Sequence, residues 1–398
     1  PIALYGDRSY NKDTLRKLMN SGSSIIPGCS TVNFDQVTRD KIFSAIDKAN
    51  LSTLKILKKD YELMKYRLGR LPMMVDFLEQ GGREPYSFVE YSKESYYSFS
   101  KKVDPTHPDL DSTSKKILAF YSREVLNARR IEEVVLLSLL VNKGKASKGE
   151  IKTIIQEKFN YVPHEETLLS AMDLLNGSFL KDADQKKYGI EKNISREKSS
   201  DGENFVLSES ALQQLNQEPL HHYLEDLLRY AYKKFAENYK EDRFRAGLQL
   251  YEKYSRKDAC RLLNWKKNEE STIYGYRIKH NTCPIFVTYE KSEDVVESQN
   301  YNDHFINSTC FNWMTRSRVT LNSPEVTSIK NHEETGLRIP LFVKKSDGEG
   351  SDFYYMGDLK PLEFRETTQN GAPIVNIIFH IQDEVDESLY NYFEDKSV

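Results

Sequence analysis

Residues 302–318, NDHFINSTCFNWMTRSR, put His, Asp and Asn beside Phe311, Trp313, Arg316 and Arg318. A folding core needs apolar side chains and gains little from so many hydrogen-bonding groups. Flat rings, directional donors and guanidinium groups together suit a surface that stacks on bases and holds phosphates. Further cations stand next to aromatics nearby: Arg277, Lys279 and His280 follow Tyr274 and Tyr276, and Lys266 and Lys267 follow Trp265. Tyrosine and arginine are also ordinary residues of an exposed strand face, so each alone is equally well explained by structure, and the cluster says more than its members. Asp303 and Asp358 add carboxylates able to accept from a cytosine amino group in direct readout.

Catalytic signatures do not accompany this cluster. The sequence holds no GxxxxGK[ST] loop for a triphosphate, and none of its eight histidines begins an HxK pair. Asp109 and the Glu150-Ile-Lys152 triplet can be forced into a metal-nuclease pattern, but Glu150 is better explained as a helix-start residue. His221 and His222 lie on a helical stretch without a ligand partner at metal spacing. The four cysteines, Cys29, Cys260, Cys283 and Cys310, form no CxxC pair, which argues against a disulfide framework or a zinc site and for a reducing cytoplasm. No apolar run approaches a membrane span. A formal charge of −3 excludes wholesale polyelectrolyte binding, so DNA contact has to come from local patches. The chain itself is expected to be non-catalytic, with no cofactor or metal of its own.

The elements that would position these residues read as a multidomain α + β protein. Residues 1–50 give a short strand, a helix and a second amphipathic helix, FDQVTRDKIFSAIDKA, like the tail of an α/β domain. Residues 51–128 form a helical coupler. Residues 129–216 predict a winged helix-turn-helix: RRIEEVVLLSLLVNKG, then KGEIKTIIQEKFN capped by Ser147 with Glu150 at the capping-box position, then HEETLLSAMDLLNG. Residues 178–190 and 204–215 are expected to flank a polar loop, 191–203, as a hairpin. The third helix offers Glu165, Glu166 and Asp173 and no cation, so it is repelled by phosphate and reads as a packing or coupling module. The wing cations Lys186, Lys187, Lys192, Arg196 and Lys198 remain able to touch a backbone. Residues 217–249 hold a linking helix. In 250–398, TIYGYRIK, PIFVTYEK, IPLFVKK, FYYMGDLKPLEFRE and IVNIIFHI alternate with period two, predicting a curved antiparallel sheet or barrel.

This order resembles the C-terminal part of a family of large modification-dependent (type IV) restriction enzymes, in which a phospholipase-D-like nuclease and a superfamily-two helicase come first. YGDRSYNKDTLRKLMNSG and GCSTVNFDQVTRDKIFSAIDKAN resemble the exit from the second helicase lobe. LKKDYELMKYRLGRLPMMVDFLEQGG, FNWMTRSRVT and DFYYMGDLKPLEF continue the likeness along the chain. The resemblance implies a piece of a longer protein whose upstream helicase and nuclease domains use ATP and magnesium. It implies that 250–398 is an SRA-like target-recognition domain binding duplex DNA with 5-methylcytosine or 5-hydroxymethylcytosine, by flipping the base into an aromatic pocket. Trp313 and one of Tyr274, Tyr276 or Tyr301 would sandwich that base, and Asp303 or Asp358 would read its Watson–Crick edge. Arg277, Lys279, His280, Arg316, Arg318, Lys266 and Lys267 would hold the flanking backbone. The competing class is a protein-interaction scaffold, in which the helices dock partner subunits, a second copy among them, and the aromatics fill that interface.

Overall fold

The computed structural model describes residues 53–199, 202–290, 303–346 and 350–394, which fall into two compact units. The expected helicase exit, 1–50, and the candidate ring Tyr301 lie outside the described residues. One unit is helical (53–247 with 260–268) and the other is sheet-rich (248–259 with 269–394). The α + β expectation holds.

The helical unit begins with α1 (Thr53–Leu68), which buries Leu57, Tyr61 and Met64 at helical spacing. Next come α2 (Met74–Glu79), α3 (Tyr86–Ser92), α4 (Tyr96–Val103) and α5 (Ser112–Glu124). Asp111 starts α5 by accepting from the amides of Thr113 and Ser114. The central helix α6 (Ile131–Lys143) is buried along most of its length and stops at Gly144, whose φ of 71° closes the last turn without a Cβ penalty. After β1 (Lys145–Ser147), the Ser147 hydroxyl accepts from the Glu150 amide at 3.0 Å and opens α7 (Lys148–Phe159), as predicted. The third helix is α8 (Glu165–Leu175).

Beyond α8 the chain departs from expectation. Residues 178–190 contain a helix, α9 (Asp182–Tyr188), rather than a first hairpin strand. Its acids lie in the first turn and its lysines in the last, the order that a helix dipole favours. The supposed polar loop is largely β2 (Ile194–Ser199), antiparallel to β3 (Gly202–Leu207), and β3 carries β1 on its other edge. ISREKS lacks strand-like alternation and is held by β3, whose Phe205 and Leu207 supply the buried face. Then come α10 (Glu209–Leu215), the linking helix α11 (Leu220–Asn238) and the short strand β4 (Phe244–Arg245). On α11 the buried Asp226 accepts from the amides of Met74 and Val75 at 2.8 and 3.1 Å, which satisfies the open start of α2.

Residues 260–268, expected in the β-rich domain, pack with this helical unit. The Arg261 guanidinium makes a two-point bond to buried Glu133, its Nε to Oε1 at 2.8 Å. Arg130 donates to Ser170 Oγ at 2.8 Å, to Asn264 Oδ1 at 2.9 Å and to the Arg261 carbonyl. Such buried guanidinium groups persist only where their donors are matched.

In the sheet-rich unit, β5 (Leu248–Gln249), β6 (Lys253–Tyr254) and the first residues of α12 (Arg256–Leu262) precede β7 (Ile285–Glu290), β8 (His304–Asn307) and β9 (Cys310–Met314). Two short helices, α13 (Pro324–Lys330) and α14 (His332–Thr335), lead to β10 (Pro340–Ser346), β11 (Phe353–Gln369), β12 (Ala372–Ile381) and α15 (Glu387–Glu394). The strands run β7-β10-β11-β12-β9-β8, with β6 also on β11, in a curled half-barrel. The sheet is not wholly antiparallel: β7 and β10 are parallel, and Phe286 stacks on Phe342 at 4.7 Å across that pair. TIYGYRIK is not a strand either. Gly275 (φ 79°), His280 (φ 48°) and Asn281 (φ 55°) turn the backbone, leaving single bridges such as Tyr276 to Ile285. The core gathers alternate residues of the strands, Phe311 and Trp313 of β9 with Ile377, Phe379 and Ile381 of β12 among them.

Candidate nucleic-acid interface

Trp313 pairs with Ile377 in the β9–β12 ladder and is 3% exposed. Its ring meets the buried Tyr276 edge-on, centroids 4.8 Å apart at 84°, and Phe379 at 5.9 Å. This corrects the expected base sandwich: both rings belong to the core, because strand alternation turns Trp313 inward with Phe311. Their role is to support what lies above them. The Tyr276 hydroxyl donates to Glu325 Oε1 at 2.8 Å, and the other Glu325 oxygen receives Arg316 Nη2. The Arg316 guanidinium also sits over the Tyr276 ring, 5.1 Å from its centroid. Burial and the Glu325 charge push the Tyr276 hydroxyl up, so it stays a donor, and the Glu325 bond raises Arg316 above its ordinary range. A chain of contacts thus runs from Trp313 in the core to a guanidinium at the surface.

Arg318 stands two residues on, in the left-handed region at φ 69°. Its amide donates to the Pro373 carbonyl at 2.8 Å, anchoring that conformation. Its side chain is exposed and has no partner among the described residues. Arg316, Arg318 and Glu325 line an open groove of about 480 Å³ with Ser317, Ser323 and Ser328, and Ile278 and Val319 provide apolar wall. Pro324 at the first helical position sets α13, which places Glu325 in its first turn. The set offers guanidinium and hydroxyl donors to phosphate oxygens and one carboxylate acceptor to an amino group.

The other predicted residues are placed differently. Tyr274 is 79% exposed and presents an open ring. Asp303 accepts from the Met314 amide at 2.9 Å. Asp358 is taken up inside the sheet by Arg338 Nε and the Tyr355 hydroxyl, each at 2.8 Å, so neither carboxylate stands over the groove as a free acceptor. Arg277 lies 3.5 Å from Glu269, which also binds Lys279, and His280 forms the turn that follows. Lys266 and Lys267 are exposed on the helical unit rather than on the sheet-rich one. Glu325 and the three serines were missed by sequence reasoning. The available signal was Ser323-Pro324-Glu325, a helix start within reach of Arg318.

A larger cavity, about 600 Å³, lies in the helical unit, where its carboxylates are already engaged: Asp76 by Arg70 at 2.8 Å and Asp226 by backbone amides. Among the described residues, no group of three or more His, Cys, Asp or Glu side chains is disposed to hold a metal ion, and no helix is long and apolar enough to cross a membrane.

Residues 248–393 match the family described as a domain of unknown function, DUF3427, and residues 57–241 match a second domain of unknown function, DUF8090. No curated protein matches the chain. Among solved structures, the SUVH5 SRA–hemimethylated CG DNA complex is similar at 13% identity, covering 35% of this chain and 93% of that one, with a TM-score of 0.26. The DNA modification-dependent restriction endonuclease AspBHI is similar at 12% identity, over 36% of this chain and 80% of that one, with a TM-score of 0.24. Arabidopsis thaliana SUVH6 in complex with SAM is similar at 12% identity, over 71% of this chain and 42% of that one, with a TM-score of 0.28. Likenesses of this size carry no argument about function.

Proposed function

We propose that the sheet-rich unit binds duplex DNA and discriminates cytosine modified at C5, and that the helical unit, read as a coupler with a winged-helix-like module, links it to the helicase and nuclease domains of a modification-dependent restriction enzyme. One observation carries the reading: Arg316 and Arg318 line one groove, one guanidinium poised on Glu325 and the other unpaired. Both lie in FNWMTRSRVT, a motif of the family resemblance. In this reading Arg318 holds phosphate, Glu325 or a groove serine meets the base edge, and an extruded 5-methyl- or 5-hydroxymethylcytosine stacks on Tyr274 in place of the buried Trp313. ATP and magnesium belong to the upstream domains, and the setting is the cytoplasm.

The test is a titration of the 398-residue chain against matched duplexes with and without 5-methylcytosine at one fixed salt concentration. Tighter binding of the modified duplex is expected. Equal affinities would overturn the readout, and absence of binding to either would turn the assignment to the scaffold reading.

A further inference from the structure

The helical unit carries a second cationic surface, assembled from three segments far apart in sequence. Asn176, the residue that ends α8, brackets the backbone of Ile194: its Nδ2 donates to the carbonyl at 2.8 Å and its Oδ1 accepts from the amide at 2.9 Å. The Asn268 amide donates to the carbonyl of Phe179, in the turn after α8, at 2.7 Å. These bonds tie the start of β2 and residues 266–268 to the end of α8. Lys192 and Arg196 flank Ile194, and Lys266 and Lys267 precede Asn268, so the frame holds four cations near one place. Asp173, on the last turn of α8, feels Lys192, Arg196 and Lys266, while its burial pushes its carboxyl up.

All four cations are exposed. Lys192, Lys266 and Lys267 have no partner among the described residues, and Arg196 reaches Glu203 only at 3.6 Å. A solvated lysine face is the ordinary explanation of such residues. Here, however, the cations are brought together by a hydrogen-bonded frame, and three of them, Lys192, Arg196 and Lys266, act on one half-buried carboxylate. Two acids of the neighbouring elements are paired, Glu165 with Lys148 at 2.7 Å and with Lys152, and Glu203 with Lys148, while Glu166, Glu191 and Glu197 stay exposed. The acidic third helix therefore opposes a polyanion less than its sequence implies. An acidic protein partner would need an apolar anchor beside the charges, and the exposed neighbours Ser195, Glu197, Lys198 and Ser199 provide none. Phosphodiesters need only the charges.

We infer that the junction of α8, β2 and residues 266–268 is a sequence-independent contact for a nucleic-acid backbone, with Lys192, Arg196, Lys266 and Lys267 on the phosphates. This contact lies on a different unit from the Arg316–Arg318 groove and does not depend on base modification.

The test measures fluorescence anisotropy of the full chain with an unmodified duplex and its 5-methylcytosine counterpart at several salt concentrations. The triple variant Lys192→Gln, Lys266→Gln, Lys267→Gln is expected to weaken both duplexes about tenfold or more and to flatten the log–log salt slope by roughly 2 to 3. The ratio between the two duplexes should stay as in the parent chain. Asp173→Asn is expected to tighten both, since it removes the carboxylate among the cations. An unchanged affinity and slope in the triple variant would overturn the inference, as would a loss confined to the modified duplex or a parent chain that binds neither. Equal affinities of the parent chain for the two duplexes would end the readout proposal and leave this test intact. Thermal melts matching the parent exclude misfolding, as expected for exposed side chains.

Discussion

Two arginine–glutamate pairs do opposite work in the two units. Arg261 and Glu133 are buried in the helical unit, with side chains 3% and 0% exposed. Arg316 and Glu325 meet at the rim of the sheet-rich groove, with side chains 56% and 16% exposed. The chemistry is the same, but the surroundings decide what it can do. In the buried pair no water or ligand can replace either partner, so the charges fix residues 260–268 in place. In the rim pair solvent screens the attraction, so a phosphate can displace Glu325 at little loss. Fixed charge builds the framework, and exchangeable charge is available for recognition.

The sharpest way to break this contrast is Arg261→Met. It leaves buried Glu133 with only Arg130 Nη1, 3.7 Å away, and a loss of up to roughly 3–5 kcal/mol of stability is expected in urea unfolding. A loss no larger than that of a surface pair would end the distinction.

A pH experiment probes the helical unit's other buried ionisable groups. Burial lowers His107 to about 4, so between its ordinary value of 6.5 and 4 only the unfolded chain takes the proton, and acid destabilises. Burial raises Asp226 from 3.8 to about 6, so over that interval only the folded chain takes the proton, and acid stabilises by up to about 3 kcal/mol. The two oppose each other. Asp226→Asn should therefore lose more melting temperature than the parent chain between pH 7 and pH 4.5, and an identical loss would remove Asp226 from the balance.

Smaller effects are expected at the groove. Arg318→Gly removes an unpaired guanidinium and relieves a left-handed backbone. Duplex affinity should fall about tenfold while stability rises by up to about 1 kcal/mol, as read by anisotropy and thermal melts. Glu325→Gln frees Arg316 and should tighten duplex binding about two- to threefold, with less than about 1 kcal/mol change in stability. Weaker binding would mean that Glu325 positions Arg316 for DNA rather than competing with DNA for it.

Much of the helical unit was legible because its signals are local. Ser147, Glu150 and Gly144 mark helix ends within a few residues of the bonds they make, and α8 follows from its apolar spacing. The misread hairpin shows where local signals stop: β2 is polar after Ile194 and becomes a strand only because β3 pairs with it. In the sheet-rich unit, the composition of the stretch around Trp313 singled out Arg316 and Arg318, which line the groove. It could not say that Trp313 faces inward, since that depends on which side of β9 meets Ile377 and Phe379 on β12. TIYGYRIK alternates like a strand, but Gly275 breaks it. Lys266 and Lys267 follow a tryptophan like the other cation–aromatic pairs, and only the long-range bonds of Arg261, Asn264 and Asn268 assign them to the helical unit.

The parallel pairing of β7 with β10 bears on when the groove exists at all. The groove's residues from Arg316 to Ser328 lie in the chain between those two strands, and a parallel pair has no tight turn from which to start. Contacts this distant in sequence form slowly, whereas the helical unit gathers neighbours along the chain. Arg316, Arg318 and Glu325 can therefore all be present in a growing or truncated chain before anything holds them in register. A product ending before Pro340 would carry every charged side chain of the groove and would leave Phe286 without Phe342 to stack on, an exposed apolar edge prone to aggregation.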